Sequence, residues 1–177
     1  MGFAHGKRRN ARAGAAAASD AQRPAPSLKA VAIRLLARRE YGRAELAARL
    51  RVRGAAPEDV DRTLDELTAL GYLSDTRFAQ ALVASRAGRY SQRAIAHELK
   101  EKRIAGDAAR AALDTLAGRD EVAEAAHLWT RRFGTAPRDE REKARQVRFL
   151  LSRGYSMSIA LKVLRSAGAA ADDDDPR

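Results

Sequence analysis

An internal repeat constrains the fold of this chain more than any other feature of its sequence. When the sequence is shifted by 49 residues, the separation of Tyr41 from Tyr90, five apolar or aromatic positions match without a gap. The matched pairs are Tyr41 with Tyr90, Leu46 with Ile95, Leu50 with Leu99, Leu64 with Leu113, and Leu67 with Leu116. A weaker third copy matches Leu50, Gly54, Val60 and Leu64 to Leu150, Gly154, Ile159 and Val163, with one deletion. Repeats of this length are typical of stacked supersecondary units.

Within each copy the apolar residues recur at helical spacing, which predicts three short helices. In the first copy these positions are Leu28, Val31, Leu35 and Leu36, then Leu46 and Leu50, then Val60, Leu64 and Leu67. Only 5% of residues are aromatic and most apolar residues are Ala or Leu, which favours helix over sheet. We therefore predict an all-α, elongated array of three tandem three-helix repeats, at 27–73, 74–117 and 118–168. The alternative is that an Ala- and Leu-rich helical protein matches itself by composition alone.

The two ends of the chain differ from the repeats. Residues 1–26 contain no Leu, Ile or Val and carry a net charge of +4, so they are predicted to form a disordered, basic, Ala- and Arg-rich arm. Residues 169–177 include the run Asp172–Asp175, which repels itself, and are predicted to form a disordered acidic tail. The net charge of +11 therefore belongs mainly to the repeats.

Charge alternates along the repeats in step with the predicted helices. Net charges are +6 for residues 29–53, −5 for 54–75, +5 for 76–103, −3 for 104–124 and +5 for 125–153. One interpretation is a single basic face that binds a polyanion. The other is pairing between basic and acidic helices within the molecule, which needs no ligand. The sequence leaves both open.

Several classes of protein are excluded or disfavoured by what the sequence lacks. It has no Cys, no phosphate-binding loop, no dinucleotide fingerprint and no GxSxG elbow. The three histidines, His5, His97 and His127, have no partners at metal-ligand spacing. We expect no metal, no cofactor and no catalytic site. The sequence contains no apolar stretch long enough to span a membrane, so a soluble, cytoplasmic protein is expected; an organelle transit peptide at the N-terminus is the alternative.

Three separated motifs resemble the RecX family, the regulators of the RecA recombinase. The central motif runs from Gly71 to Ala79 as GYLSDTRFA and is followed by Ser85-Arg86 and by IAHELK at 95–100. Upstream, LLARREY at 35–41 leads to Glu45-Leu46, and downstream, RFLLSRGYS occupies 148–156. The motifs occur in the family's order and cover roughly residues 28–167.

The resemblance implies an all-helical chain of three-helix repeats that binds along the groove of the RecA filament on single-stranded DNA. It implies inhibition of RecA ATPase, strand exchange and coprotease activity, without catalysis, and so a role in recombination, DNA repair and the SOS response. The expected partners are the RecA filament and single-stranded DNA, with double-stranded DNA as a further candidate, and the protein is expected to be a monomer. One alternative is a sequence-indifferent protein that covers DNA. Another, an enzyme of nucleic-acid metabolism, would need a catalytic constellation that is absent from the sequence.

Candidate residues follow from charge and from the motifs. Charge and reach alone make phosphate-contact candidates of Arg34, Arg38, Arg86, Arg89, Arg93, Lys102 and Arg103. Carried over by resemblance, the polar candidates for the binding face are Arg38, Arg39, Arg77, Arg86, Arg148 and Arg153. The motif residues expected to define the fold are Tyr72, Leu73, Phe78, Phe149, Leu150 and Gly154. Asp75 is expected to cap a helix.

Overall fold

The structure, a computed structural model, describes residues 26–173 and contains nine helices and no strand in that range. The helices are α1 Leu28–Leu36, α2 Arg43–Arg51, α3 Pro57–Ala69, α4 Asp75–Arg86, α5 Gln92–Glu101, α6 Gly106–Asp114, α7 Glu121–Arg132, α8 Glu140–Ser152 and α9 Met157–Asp173. We call α1–α3 unit 1, α4–α6 unit 2 and α7–α9 unit 3. The prediction of an all-α chain of tandem three-helix repeats is confirmed. The predicted basic arm lies outside the described residues, except for Pro26.

Local sequence signals explain where the helices begin and end. Ser and Asp side chains accept backbone N–H bonds in the first turns of most helices, as Asp139 does from Glu142 at 2.7 Å. Two or three residues after the end of each second helix, one residue adopts a left-handed backbone conformation. In units 1 and 3 this residue is glycine, with φ of 81° at Gly54 and 88° at Gly154, and in unit 2 it is Arg103 with φ of 61°.

Each unit packs around its own hydrophobic core. The cores centre on fully buried leucines and isoleucines, such as Leu50 in unit 1, Ile95 in unit 2 and Leu150 in unit 3. Among the described helices, every pair with extensive contact lies within one unit. Because helices of 9 to 17 residues are marginal alone in water, burial within a unit holds them in place.

The motif residues expected to define the fold do so in different ways. Leu73, Phe78 and Leu150 are buried, and Phe149 packs half-buried against the core of unit 3. Tyr72 does not join a core, because its side chain is 51% exposed. Its contribution is made by the backbone instead, since its N–H donates to the carbonyl of Leu67 and closes the end of α3.

Hydrogen bonds to backbone groups join unit 1 to unit 2. The Asp75 carboxylate accepts a 2.7 Å hydrogen bond from the backbone N–H of Arg43, the first residue of α2. The N-cap of α4, the helix that contains Asp75, is Ser74. The side chain of Asp75 instead caps α2, a helix of the preceding unit. Beside this contact Gly42 packs closely, because an added Cβ would lie 3.2 Å from Ile104 and 3.4 Å from Phe78.

The junction between units 2 and 3 likewise joins the start of a second helix, α5, to the turn between the second and third helices of the next unit, α8 and α9. Ser91, the N-cap of α5, donates its backbone N–H to the carbonyl of Arg153 at 2.9 Å. The Arg93 guanidinium donates to the carbonyl of Gly154 at 3.1 Å. In both junctions the start of one unit's second helix therefore meets the turn between the second and third helices of the next unit.

The C-terminal helix is longer than the sequence indicated. The acidic tail was predicted from residue 169, whereas α9 continues to Asp173. Ala169–Ala171 are good helix formers, so they extend the helix into the first residues of the acidic run. Residues 174–177 of the predicted tail lie outside the described residues.

A pair of glycine substitutions tests the second junction. Gly154→Ala would place a Cβ 2.5 Å from the Ala94 Cβ and 2.6 Å from the Ser91 Oγ, in a left-handed backbone conformation. We expect it to lower the free energy of unfolding of unit 3 by about 2–4 kcal/mol, from backbone strain plus overpacking. Urea denaturation measures this, followed both by far-ultraviolet circular dichroism, to which the helices of every unit contribute, and by the emission of Trp129 in unit 3.

Gly54→Ala is the matched control. Its backbone is also left-handed, at φ of 81°, but no atom lies within 4 Å of an added Cβ. The expected cost is about 1–2 kcal/mol, from backbone conformation alone. Equal losses in the two variants would show that the junction contact contributes nothing.

Candidate binding surface

In unit 1 the basic and acidic helices pair with each other. Lys29 of α1 contacts Glu66 of α3, and two arginines of α2 pair with α3 carboxylates. These pairs are Arg43 with Asp65 at 2.7 Å and Arg51 with Asp61 at 3.6 Å. Intramolecular pairing therefore accounts for part of the alternating charge pattern in this unit, although exposed pairs of this kind contribute little stability.

The acidic helix of unit 2 makes no such pairs in the described part of the chain. Asp107 of α6 contacts Arg110 of the same helix, and no α6 carboxylate forms an ion pair with α4 or α5. In unit 3 the ion pairs of α8 are also local: Lys143 with Glu140, and Glu142 with the preceding Arg138. The positive charge of units 2 and 3 is consequently less neutralised by their own acidic helices than that of unit 1.

Arg86 braces the core of unit 2. Its guanidinium donates two hydrogen bonds to the Glu98 carboxylate, each of 2.8 Å, and joins α4 to α5. The hydrogen bonds from Arg86 lower the pKa of Glu98, and burial opposes this only in part. The same pair raises the pKa of Arg86. Two donors of Arg86 are thus already committed within the unit.

Arg39 and Arg77 are held at the junction of units 1 and 2. Arg39 bonds Glu45 and lies 3.7 Å from the centre of the Tyr41 ring. Burial alone would raise the pKa of Glu45, but the hydrogen bond and charge of Arg39 outweigh it and lower that pKa. Arg77 pairs with Glu40 at 2.8 Å and so bridges the two units. Both arginines stabilise the array.

Two further candidates belong to the junction of units 2 and 3. Arg93 donates to the carbonyl of Gly154. The Arg153 guanidinium lies 5.0 Å from the Tyr90 ring centre and 5.3 Å from that of Phe149, and its buried Nε has no hydrogen-bond partner in the described residues.

The other six candidates are exposed and make no side-chain hydrogen bond or ion pair within residues 26–173. They are Arg34, Arg38, Arg89, Lys102, Arg103 and Arg148. The structure does not bring all eleven candidates into one cluster. Three of them, Arg39, Arg86 and Lys102, line a hollow of about 360 Å³ between units 1 and 2, together with three glutamates.

A concave surface lined by four arginines lies in unit 3, and we call it the basic hollow. It has a volume of about 460 Å³ and lies between the end of α7, the following loop and α8. Its lining residues are Arg132, Phe133, Thr135, Arg138, Glu142, Arg145, Gln146, Arg148, Phe149 and Ser152. A second depression of about 420 Å³ shares Glu142, Arg145 and Arg148 with it and adds Asp139 and Arg141.

Packed aromatic and amide groups hold the floor of the basic hollow. Phe133 and Phe149 meet edge to face, with ring centres 5.4 Å apart. The buried Gln146 accepts a 2.7 Å hydrogen bond from the Trp129 indole and donates to the carbonyl of Thr135 at 3.3 Å. This satisfied buried network fixes the loop against α8 and therefore fixes the shape of the hollow.

Sequence reasoning found only one of the arginines of this surface, Arg148. It missed Arg132, Arg138, Arg141 and Arg145. A signal was present, because Arg141, Arg145 and Arg148 stand at i, i+4 and i+7 and therefore share one face of a helix. Arg132 and Arg138 carry no such signal, since the α7–α8 turn alone brings them to that face.

Two absences apply to the part of the chain that the structure describes. Between residues 26 and 173, no three or more His, Asp or Glu side chains are grouped as they would be around a metal ion. None of the described helices combines the length and apolar character needed to cross a membrane.

The fold and this surface define a tandem three-helix repeat protein that presents exposed cations. Models of the first, second and third three-helix domains of RecX match residues 29–67, 74–113 and 119–164. The chain belongs to the RecX family of regulatory proteins.

Curated relatives agree with this assignment, and a solved structure shares the fold. The chain is 43% identical over 153 residues to the regulatory protein RecX of Leptothrix cholodnii, covering 86% of this chain and 97% of the relative. It is 40% identical to that of Ralstonia nicotianae, covering 84% and 93%. The crystal structure of RecX from Lactobacillus salivarius shares the fold, with a TM-score of 0.62 at 18% identity over 80% of this chain and 95% of that one.

The lowered pKa of Glu98 predicts a dependence of stability on pH. A carboxyl group whose pKa is lower in the folded state stabilises the protein above its ordinary pKa, near 4.5, and this contribution is lost as the pH falls through the folded value. Because both side chains are partly exposed, we expect a contribution of about 0.5–1 kcal/mol.

Glu98→Gln removes the titrating group but keeps a hydrogen-bond acceptor. Its unfolding free energy should fall less than that of the wild type between pH 6 and pH 3, as measured by urea titrations at each pH. Parallel pH profiles for the two proteins would contradict the assignment of this contribution to Glu98.

Proposed function

We propose that this protein binds the RecA filament on single-stranded DNA and inhibits RecA ATPase, strand exchange and coprotease activity. The observation that carries the proposal is the match of all three units, in order, to the three domains of RecX proteins, which are named regulatory proteins. In this proposal the protein acts as a cytoplasmic monomer in recombination, DNA repair and the SOS response, and it catalyses no reaction itself.

The architecture supports binding to a polymeric partner. Each unit has its own core and the units follow one another through similar junctions, so that successive surfaces can meet successive positions of a filament. Several weak contacts on one rigid array add up to strong binding, because the later contacts are intramolecular. The exposed cations Arg34, Arg38, Arg89 and Arg103 are proposed as contacts of units 1 and 2 with RecA or with phosphates.

The five braced arginines have a different proposed role. Arg39, Arg77, Arg86, Arg93 and Arg153 fix the relative positions of helices and units. Their substitution would impair binding indirectly, by loosening the array. Exposed arginines are therefore the better targets for mutations that separate binding from folding.

The second candidate function is that of a protein that covers DNA without reference to RecA. Four exposed arginines of unit 3 favour it, since phosphate contacts need only charge and reach and these four lack ion-pair partners in the described part of the chain: Arg132, Arg141, Arg145 and Arg148. The two functions differ in the amount of protein that they require.

RecA-catalysed ATP hydrolysis on single-stranded DNA distinguishes them. The protein is added to preformed RecA filaments at about one molecule per 20 RecA subunits, because a few molecules bound to a cooperative filament suffice to alter it. We expect most of the hydrolysis to be lost, together with coprotease activity and strand exchange, while binding to naked DNA under the same conditions stays weak.

A titration of the same protein on naked DNA provides the control. Inhibition that begins only when the protein saturates the DNA would reject the filament regulator and support the DNA-covering function. Wild-type protein that never inhibits hydrolysis would reject both.

A further inference from the structure

The second helix of unit 3 starts differently from those of units 1 and 2. The three second helices are aligned by their buried leucines, Leu50, Leu99 and Leu150. The residues eight positions before these leucines are Gly42, Ser91 and Glu142. Gly42 and Ser91 are N-caps that receive the next unit, whereas Glu142 lies inside α8, which begins at Glu140 and has one further turn of helix.

This further turn distinguishes unit 3 from the two units before it. A Cβ added at Gly42 would lie only 3.2 Å from Ile104 of the next unit. The backbone N–H of Ser91 donates a hydrogen bond to the carbonyl of Arg153 in the next unit. At the equivalent position of α8 the backbone N–H is already engaged, because Glu142 donates it to Asp139. The face that joins one unit to the next is therefore built differently in unit 3, the last unit of the described array.

On the face of unit 3 that corresponds to these junctions, an arginine stands where units 1 and 2 have an acidic and a small residue. Glu45 and Ala94 stand five positions before their leucines, and Arg145 stands at the same position in α8. In the hollow between units 1 and 2, the arginines are compensated by hydrogen-bonded glutamates such as Glu45 and Glu98.

The basic hollow lacks this compensation. Of its surrounding arginines, Arg138 pairs with Glu142 at 3.7 Å. Four others, Arg132, Arg141, Arg145 and Arg148, form no ion pair or side-chain hydrogen bond in the part of the chain that the structure describes. Arg132, Arg145 and Arg148 line the basic hollow and Arg141 lines the adjoining depression, so together they create a positive potential along this face of unit 3.

The shape and floor of the hollow specify the class of anion. A volume of about 460 Å³ accommodates one nucleotide of a single strand, and the second depression continues the basic surface along α8. The Phe133 and Phe149 edges offer an apolar surface for a sugar or base, and guanidinium groups lie 5.5 and 5.6 Å from the Phe133 ring centre. Arginines beside aromatic rings are the usual elements of single-strand binding sites.

We propose that the terminal face of unit 3, the basic hollow with Arg141, is a binding site for the phosphodiester backbone of single-stranded DNA. Arg141, Arg145 and Arg148, on one face of α8, contact consecutive phosphates. The proposal assigns a DNA-binding site to the proposed function, and it rests on that function only for the statement that the site acts within a filament. Within a filament this end of the array would contact the DNA strand, while units 1 and 2 are left to contact protein.

Charge reversal on α8 tests the site. Arg141→Glu combined with Arg148→Glu removes two exposed side chains that form no ion pair or side-chain hydrogen bond in the described residues, so folding should be preserved. Binding to a fluorescent oligothymidylate of about 20 nucleotides is measured by anisotropy at several salt concentrations. We expect affinity to fall at least about 10-fold and the salt slope to decrease by about 1.4, which corresponds to two lost phosphate contacts.

A charge-matched control uses α9 of the same unit. Lys162→Glu combined with Arg165→Glu changes the net charge by the same amount at two exposed positions outside the hollow. We expect less than about 3-fold loss of affinity, from the general field alone. Trp129, the one Trp of the chain and a core residue of unit 3, reports by its emission that each variant is folded.

Four results would overturn the site. These are equal losses of affinity in the α8 and α9 variants, unchanged affinity in the α8 variant, competition by millimolar inorganic phosphate as effective as that by the oligonucleotide, or unchanged affinity in the separate Arg145→Glu variant. The third would indicate a small-anion site. None of these measurements contains RecA, whereas the proposed function is tested by RecA ATPase with wild-type protein. Failure of the site and failure of the regulator are therefore distinguishable.

Discussion

The contact between the start of one second helix and the following unit is the constraint on which the array depends. The three cores are separate, so hydrophobic burial holds each unit together but does not orient one unit against the next. Orientation comes from directional contacts: Asp75 on the N–H of Arg43, and Ser91 on the carbonyl of Arg153. A hydrogen bond to a backbone group requires the two segments of the chain to approach closely. This approach depends on small residues at the contact, such as Gly154, where an added Cβ would lie 2.5 Å from the Cβ of Ala94.

The same junctions decide what the arginines can do. By sequence alone all the arginines are equivalent cations. In the fold, some pair with carboxylates or carbonyl groups within the molecule, and others remain exposed. Arg86, with both donors on Glu98, stabilises a unit, whereas Arg148 projects from α8 without a partner in the described residues. Of the two interpretations of the alternating charge, pairing across helices accounts for part of the pattern in unit 1, whereas a single basic face that binds a polyanion stays a prediction, for which the exposed arginines of unit 3 are the candidates.

Much of the fold was accessible from sequence because periodicity and turn residues are local properties. Leu50, Leu99 and Leu150 identified the second helices, and Gly54 and Gly154 marked their ends. The candidate surface was less accessible. Arg141, Arg145 and Arg148 have helical spacing that could have been recognised, whereas Arg132 and Arg138 reach the same hollow only because a seven-residue loop folds back onto α8.

The number of units, the helical class and the family can be read from the sequence, because they depend on the order and spacing of residue types along the chain. Which charges remain available depends instead on how the units pack. Asp75 stands beside its own helix in sequence but caps the helix of another unit, and α8 begins with one further turn. Such pairings join residues far apart in the chain, and their energies depend on distance and burial, which no local pattern encodes.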